Sequence, residues 1–275
     1  MRRAALAPLA ILLAACPSNL EEQSHVSKLR VLAVRADPPE LVLEPDAGLP
    51  ATTLTALAVE PGDAGISLLF ALCTEITAAP SATLPCPGNE GIELPAAGPF
   101  SARLDLADPR IAGFASQAQL DGGAFDGGGG IGEALDEGVP LLVGFTARSG
   151  LQQLEGFATI TLRSAARGPA GSNPSSVDVE IGDGGVISPK QVVRLQPLWP
   201  PKDDPTMKYG FSFFATAGSI SSLRSTDTTA TGQSAPTWVE WTAPDSVQGD
   251  PVRIWVVLRD GRGGTAWVER STEVR

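Results

Sequence analysis

Hydrophobic positions in this chain recur mostly on a period of two, in short runs punctuated by glycine, proline and aspartate. That is the pattern of half-buried strands rather than amphipathic helices. Lys28 to Ala36 predicts a first strand, stopped at Asp37-Pro38-Pro39 because proline cannot donate to a ladder. Leu41 to Leu43, Thr52 to Val59 and Ile66 to Cys73 predict the next three, with Pro61-Gly62-Asp63-Ala64-Gly65 as turn chemistry between the last two. From Thr74 to about Gly138 the chain is loaded with proline, glycine, alanine and aspartate. Only Phe100 to Leu106 alternates there, and Ile131 to Asp136 predicts one helical turn. Val139 to Arg148 and Leu154 to Arg163 flank Ser149-Gly150-Leu151 and predict a hairpin.

Ala166 to Pro174 is small and proline-bearing and predicts a solvated linker. All five tryptophans and the one tyrosine lie beyond it. Strands are predicted at Ser176 to Ile181, Gln191 to Leu198, Tyr209 to Thr216, Thr237 to Trp241, Val252 to Arg259 and Thr265 to Val274. Six strands in so short a span, separated by turn residues, predict a sandwich. In the final hairpin Val252, Ile254, Val256 and Leu258 share one face. Arg253, Trp255, Val257 and Arg259 share the other, and this mixed face is expected to meet solvent. Trp241-Thr-Ala-Pro244, the strand from Val252, and Asp260-Gly-Arg-Gly-Gly-Thr-Ala266 resemble the end of bacterial immunoglobulin-like and polycystic-kidney-disease-type repeats. The resemblance covers Tyr209 to Arg275 and implies an immunoglobulin-like β-sandwich there.

The N-terminus carries Met1-Arg2-Arg3 and then an apolar run from Ala4 to Ala15. At about twelve residues the run is too short for a membrane-spanning helix, which needs about 20. It fits the core of a secretory signal. Leu13-Ala14-Ala15-Cys16 resembles the lipobox of bacterial lipoproteins. That resemblance implies cleavage after Ala15 and a permanent lipid anchor on Cys16, because several buried acyl chains hold far more tightly than one. Pro17 and Ser18 follow, without the aspartate that often retains such proteins at the inner membrane, so the resemblance implies the outer membrane. With Leu29-Arg-Val-Leu-Ala-Val-Arg-Ala-Asp-Pro-Pro39, the whole chain also resembles surface lipoproteins of high-GC Gram-negative bacteria, a family that implies a location and no activity.

Charge and chemistry narrow the reading further. The chain has 275 residues, a net charge of -11 and a single histidine. Such a polyanion is a poor partner for nucleic acid or anionic lipid. Cys73 and Cys86, in an exported protein, are expected to form a disulfide closing a loop of about 14 residues, worth roughly 3 kcal/mol. A metal-thiolate reading lacks a nearby histidine or third cysteine. Asp121, Asp126 and Glu133 lie in a glycine-rich stretch and are calcium candidates, since calcium takes several oxygens on a flexible loop; the pattern occurs once and matches no EF-hand spacing. His25 reads as a tether residue with no partner to orient it as a base. Trp255 and Trp267 are the candidates for a ligand platform if they lie exposed; the other reading packs them beneath a loop, or beside Trp238 or Trp241, in the sandwich core. No catalytic residue and no cofactor are predicted.

These readings converge on a mostly β chain of two immunoglobulin-like sandwiches in tandem after a lipoprotein signal peptide. The signal spans 1–15, a tether 16–26, an irregular first sandwich 27–165 with an insertion at about 74–138, the linker 166–174, and the second sandwich 175–275. The expected function is a non-catalytic, membrane-tethered interaction or scaffold module of the cell envelope with a protein partner or a polysaccharide. Carbohydrate binding through the tryptophans and a carboxylate-dependent envelope hydrolase are the alternatives.

Overall fold

The computed structural model describes residues 23–44, 46–62, 65–73, 86, 91–112, 135–202, 204, 206–246 and 249–275. The expected signal region with Cys16, and the glycine-rich stretch with Asp121, Asp126 and Glu133, lie outside the described residues. The chain is mostly β. Its strands are β1 (Arg30–Asp37), β2 (Glu40–Leu43), β3 (Ala51–Val59), β4 (Ile66–Cys73), β5 (Gly91–Glu93), β6 (Ala96–Gly98), β7 (Ser101–Asp105), β8 (Val139–Ser149) and β9 (Gln152–Ser164). They continue with β10 (Asp178–Ile181), β11 (Val192–Leu198), β12 (Gly210–Ala215), β13 (Ser219–Ile220), β14 (Arg224–Thr226), β15 (Val239–Thr242), β16 (Val252–Arg259) and β17 (Thr265–Thr272).

The first sandwich faces a sheet of order β1-β3-β7-β6 against one of order β2-β9-β8-β4-β5. Asp37 ends β1, and after Pro38-Pro39 the chain changes sheets to run as β2 parallel to β9. The second sandwich faces β10-β11-β15-β13 against β14-β12-β16-β17, and a parallel bridge between Ile187 and Val274 joins its first connection to its end. Both are immunoglobulin-type Greek keys: early and late strands interleave within each sheet, so no sheet forms from neighbours in sequence alone.

Each sandwich has its own core. Leu54, Phe70, Leu72, Leu104, Val143 and Ile160 fill the first. Phe211, Phe213, Leu195, Trp241, Ile254 and Val256 fill the second, where the indole N–H of Trp241 donates to the Ala217 carbonyl at 3.0 Å. The disulfide between Cys73 and Cys86 is formed, joining the end of β4 to the segment before β5 with Cα atoms 5.1 Å apart. Asp260 explains the final hairpin turn: its carboxylate accepts the amides of Arg262 and Gly264 at 2.7 and 2.8 Å, and Gly261 and Gly263 take the positive φ the turn requires.

A third apolar cluster lies between the sandwiches. Val26, Leu32, Ala33 and Val59 meet Phe214, Trp255 and Val257 across it. A β-bulge makes this possible. Between Val31 and Ala33 the register of β1 against β3 slips by one residue, leaving Leu32 without a partner. Val31, Val34 and Ala36 consequently face the first core, while Leu32 and Ala33 both face the second sandwich.

Two expectations are corrected here. Residues 23–26 are not a free tether: the His25 backbone bridges to Ala215, Val26 donates to the Ala215 carbonyl at 2.8 Å, and Ala215 donates to that of Ser24 at 2.9 Å. Val26 is fully buried, because its side chain closes the apolar cluster between the sandwiches. Nor is 166–174 a solvated connector. The Asn173 side chain donates to the Ala36 carbonyl at 2.7 Å and accepts the Thr265 amide at 2.9 Å, so it ties the two sandwiches together.

Candidate functional site

The functional features of the chain gather at the junction of the sandwiches, which consists of a closed seam and an open cleft. In the seam, the outward face of β12, β16 and β17 packs on the outward face of β1 and β3. Trp255 sits at its centre with no exposed surface, its indole N–H donating to Glu269 at 2.9 Å. Arg253 lies 5.4 Å from its ring centre and reaches across to the Glu60 carbonyl. Arg259 donates to Ser212 at 3.2 Å and to the carbonyl of Leu32, the bulged residue, at 3.1 Å. Burial first, and the charge of Arg224 second, pushes the pKa of Arg259 down. Trp267 is half-buried with Arg35 stacked 5.0 Å from its ring centre.

Of the two readings of this pair, packed or exposed, the structure shows the packed one, though against the other sandwich rather than within a core. Trp255 is sealed under the first sandwich and Trp267 is capped by Arg35, so the pair offers no open ring face. The mixed face of the last hairpin is a domain interface, and its arginines serve backbone carbonyls of the other sandwich. His25 is likewise a structural residue, with its Nε2 2.9 Å from the Thr216 carbonyl.

Beside the seam lies a cleft of about 770 Å³. Its walls are Pro39 and Glu40 from the start of β2, the linker 169–175, the loop from Pro200, and the turn at Asp260. Arg163 organises one wall. Its guanidinium donates to Glu40 at 3.1 and 2.9 Å, and to the carbonyls of Ser164, Gly168 and Pro169 at 3.1, 2.9 and 2.7 Å. Every guanidinium donor is thereby used, and the linker is moulded around a buried charge. Asp204 organises the opposite wall. It accepts from the Thr206 amide and hydroxyl at 2.8 and 2.6 Å and from Arg262 at 2.6 Å. The hydrogen bonds from Thr206, followed by that from Arg262, hold its pKa down at about 2. Below it Lys202 pairs with Asp227 and lies 5.1 Å from the Tyr209 ring centre.

The carboxylates of the cleft are all engaged as acceptors: Glu40 by Arg163 and the Gly171 amide, Asp204 by Thr206 and Arg262, and Asp260 by its own turn. An acid or base for catalysis needs a pKa brought toward the working pH, whereas Asp204 is held far below it. Arg167 and Arg262 stand exposed at the rim, and Arg167 donates to the Glu137 carbonyl at 3.0 Å. Among the described residues no group of three His, Cys, Asp or Glu is placed to hold a metal ion. Among the same residues no helix is long and apolar enough to cross a membrane.

No family model matches this chain, and no curated protein matches it. Among solved structures it is similar to the N-terminal Ig1-2 module of the Drosophila receptor protein tyrosine phosphatase DLAR. That match has 10% identity and a TM-score of 0.25, and covers 90% of this chain and 99% of that one. It is also similar to extracellular domains 3-5 of Drosophila OTK, at 9% identity and a TM-score of 0.20, over 89% of this chain and 63% of that one.

The sequence pointed to the disulfide and to the aromatic face, and the structure joins the first and reassigns the second. Sequence reasoning missed the cleft and its organisers, Arg163, Asn173 and Asp204. Arg163 carried no signal of this role: it lies on the outward side of β9, opposite the inward Ile160 and Leu162, and is buried only because Glu40 and the carbonyls of Gly168 and Pro169 close over it.

Proposed function

We propose that this chain is a non-catalytic interaction or scaffold module of the cell envelope, anchored by lipid on Cys16 at the outer membrane. It holds an envelope protein partner at its surface and has no part in nucleic-acid binding. The observation that carries this reading is the buried seam around Trp255, which joins two immunoglobulin-type sandwiches into one body with a single set of outer surfaces. A rigid body loses little conformational freedom when a partner docks, which favours binding. Anchoring adds to this by confining the module with any membrane-bound partner. The cleft, with Arg167 and Arg262 on its rim and every carboxylate engaged, serves as a docking groove.

The test joins anchoring to binding. Fatty-acid labelling of cells should mark the wild-type protein and leave Cys16→Ala unlabelled and released from the membrane fraction. A photo-cross-linking residue at Arg167 or Arg262 should trap one defined envelope protein. An unlabelled wild type removes the anchor from the account. Absence of any cross-link from both rim positions removes the docking groove.

A further inference from the structure

The most exposed large apolar side chain among those described belongs to Leu151, at the tip of the β8-β9 hairpin. The tip is a two-residue turn, with Ser149 paired to Gln152 and Gly150 at positive φ. Such a turn asks for glycine at its first place and sets no demand for an apolar residue at its second. The leucine therefore serves neither the turn nor either core. Single exposed leucines are common on protein surfaces, so what this one does is decided by where it stands.

The tip stands beside the point where the chain enters the body. The Gln152 side chain accepts the Leu29 amide at 2.9 Å, and Arg30 donates to the Gln23 carbonyl at 2.6 Å. Gln23 is the first residue described, and it lies seven residues after Cys16. Seven residues span at most about 25 Å when fully extended. An acyl chain on Cys16 would therefore hold this end of the first sandwich within that reach of a bilayer. The opposite end is far from it: β9 runs thirteen residues from the tip to Ser164, about 40 Å, and ends beside Arg163 and Arg167 of the cleft. Charge at the tip favours neither sign of lipid. Lys28, Arg30 and Arg148 are set against Glu60, and against Glu21, Glu22 and Asp63 nearby in the sequence. What the tip offers a membrane is its leucine.

We propose that Leu151 inserts into the bilayer interface beside the Cys16 anchor and so fixes how the body stands on the membrane. This contact rests on the lipid anchor proposed above. One leucine binds a membrane only weakly, and the anchor supplies the local concentration that makes the contact effective. With the tip in the interface, β9 carries Arg167 and the cleft away from the lipid, where a partner reaches them. The short chain from Cys16 and the leucine thus act at the same end of the molecule, one holding it at the bilayer and the other setting its orientation.

The test uses the protein purified from cells and reconstituted into phosphatidylcholine vesicles, part of whose lipid carries a diazirine in the acyl chain. Flotation of the vesicles reads the anchor. Illumination followed by peptide mass spectrometry reads the contact. Insertion predicts label on the tip, 149–152, and none on 167–175 at the cleft. Leu151→Asn should float as well as wild type and lose about tenfold of the tip label, as expected for a partly buried leucine. Leu151 belongs to neither core, so this substitution leaves the fold intact. A wild type that floats with its tip labelled no more than 167–175, or a tip label unchanged in Leu151→Asn, overturns the proposal and leaves the anchor standing. A wild type that carries no acyl chain and does not float overturns both.

Discussion

Trp255 carries more of the interface between the sandwiches than any other single side chain. It is wholly buried, and its one polar atom is satisfied by Glu269. Trp255→Ala should cost about 3–5 kcal/mol, the usual loss for a large buried aromatic, measurable by chemical denaturation. Trp238→Ala should cost far less, because Trp238 lies half-exposed under Arg194 on an outer face. Asp204 makes a second prediction at this scale. Its folded pKa of about 2 lies below its ordinary value of 3.8, so the protonated form is disfavoured by folding. The stabilisation is present in full above pH 4 or so and is lost as the pH falls through about 2. The melting temperature of Asp204→Asn should thus fall below that of wild type at neutral pH, and the gap should close toward pH 2. A gap that stays constant across that range would contradict the role given to Thr206 and Arg262.

At the scale of elements, the disulfide and the N-terminal segment make separable contributions. Replacing Cys73 and Cys86 together by serine should cost roughly 3 kcal/mol, the loop-closure value for a bridge between residues 13 apart, and should fall on the first sandwich. Val26→Asp should instead loosen the junction, because it places a carboxylate where a fully buried side chain closes an apolar cluster. Proteolysis between the sandwiches, slow in wild type, should accelerate in this variant and not in the cysteine pair.

Most of the long strands were legible in the chain, since their alternation has one reading: β3, β8, β9, β16 and β17 fall close to their expected limits. The short strands β5, β6, β13 and β14 were not, because two or three residues carry no period. The seam was written in β1 and β16, whose Val-Leu-Ala-Val and Ile-Trp-Val-Val-Leu are nearly continuous apolar runs. Such a run marks a strand covered on both faces. The alternation of arginines in β16 masked it, because Arg253 and Arg259 bury their charge by donating to carbonyls of a distant segment, and local sequence carries no sign of that acceptor. The bulge at Leu32 was hidden for the same reason: a one-residue slip in register depends on the partner strand. The cleft depends on contacts such as Arg163 with Glu40, which lie far apart in sequence and meet only through topology.

At the scale of the molecule, the account holds that the two sandwiches behave as one body. Separate cores would allow independent unfolding, but the apolar cluster, Asn173, Arg253, Arg259 and residues 23–26 all cross the junction. The interaction-module reading requires that body, since it uses surfaces whose relative placement the seam sets. Differential scanning calorimetry of the wild-type protein, beside Trp255→Ala, tests it most directly. The account predicts one transition for wild type, with calorimetric and van't Hoff enthalpies in agreement, and two resolved transitions once Trp255 is removed. Two independent transitions in wild type, each unmoved by Trp255→Ala, would contradict it.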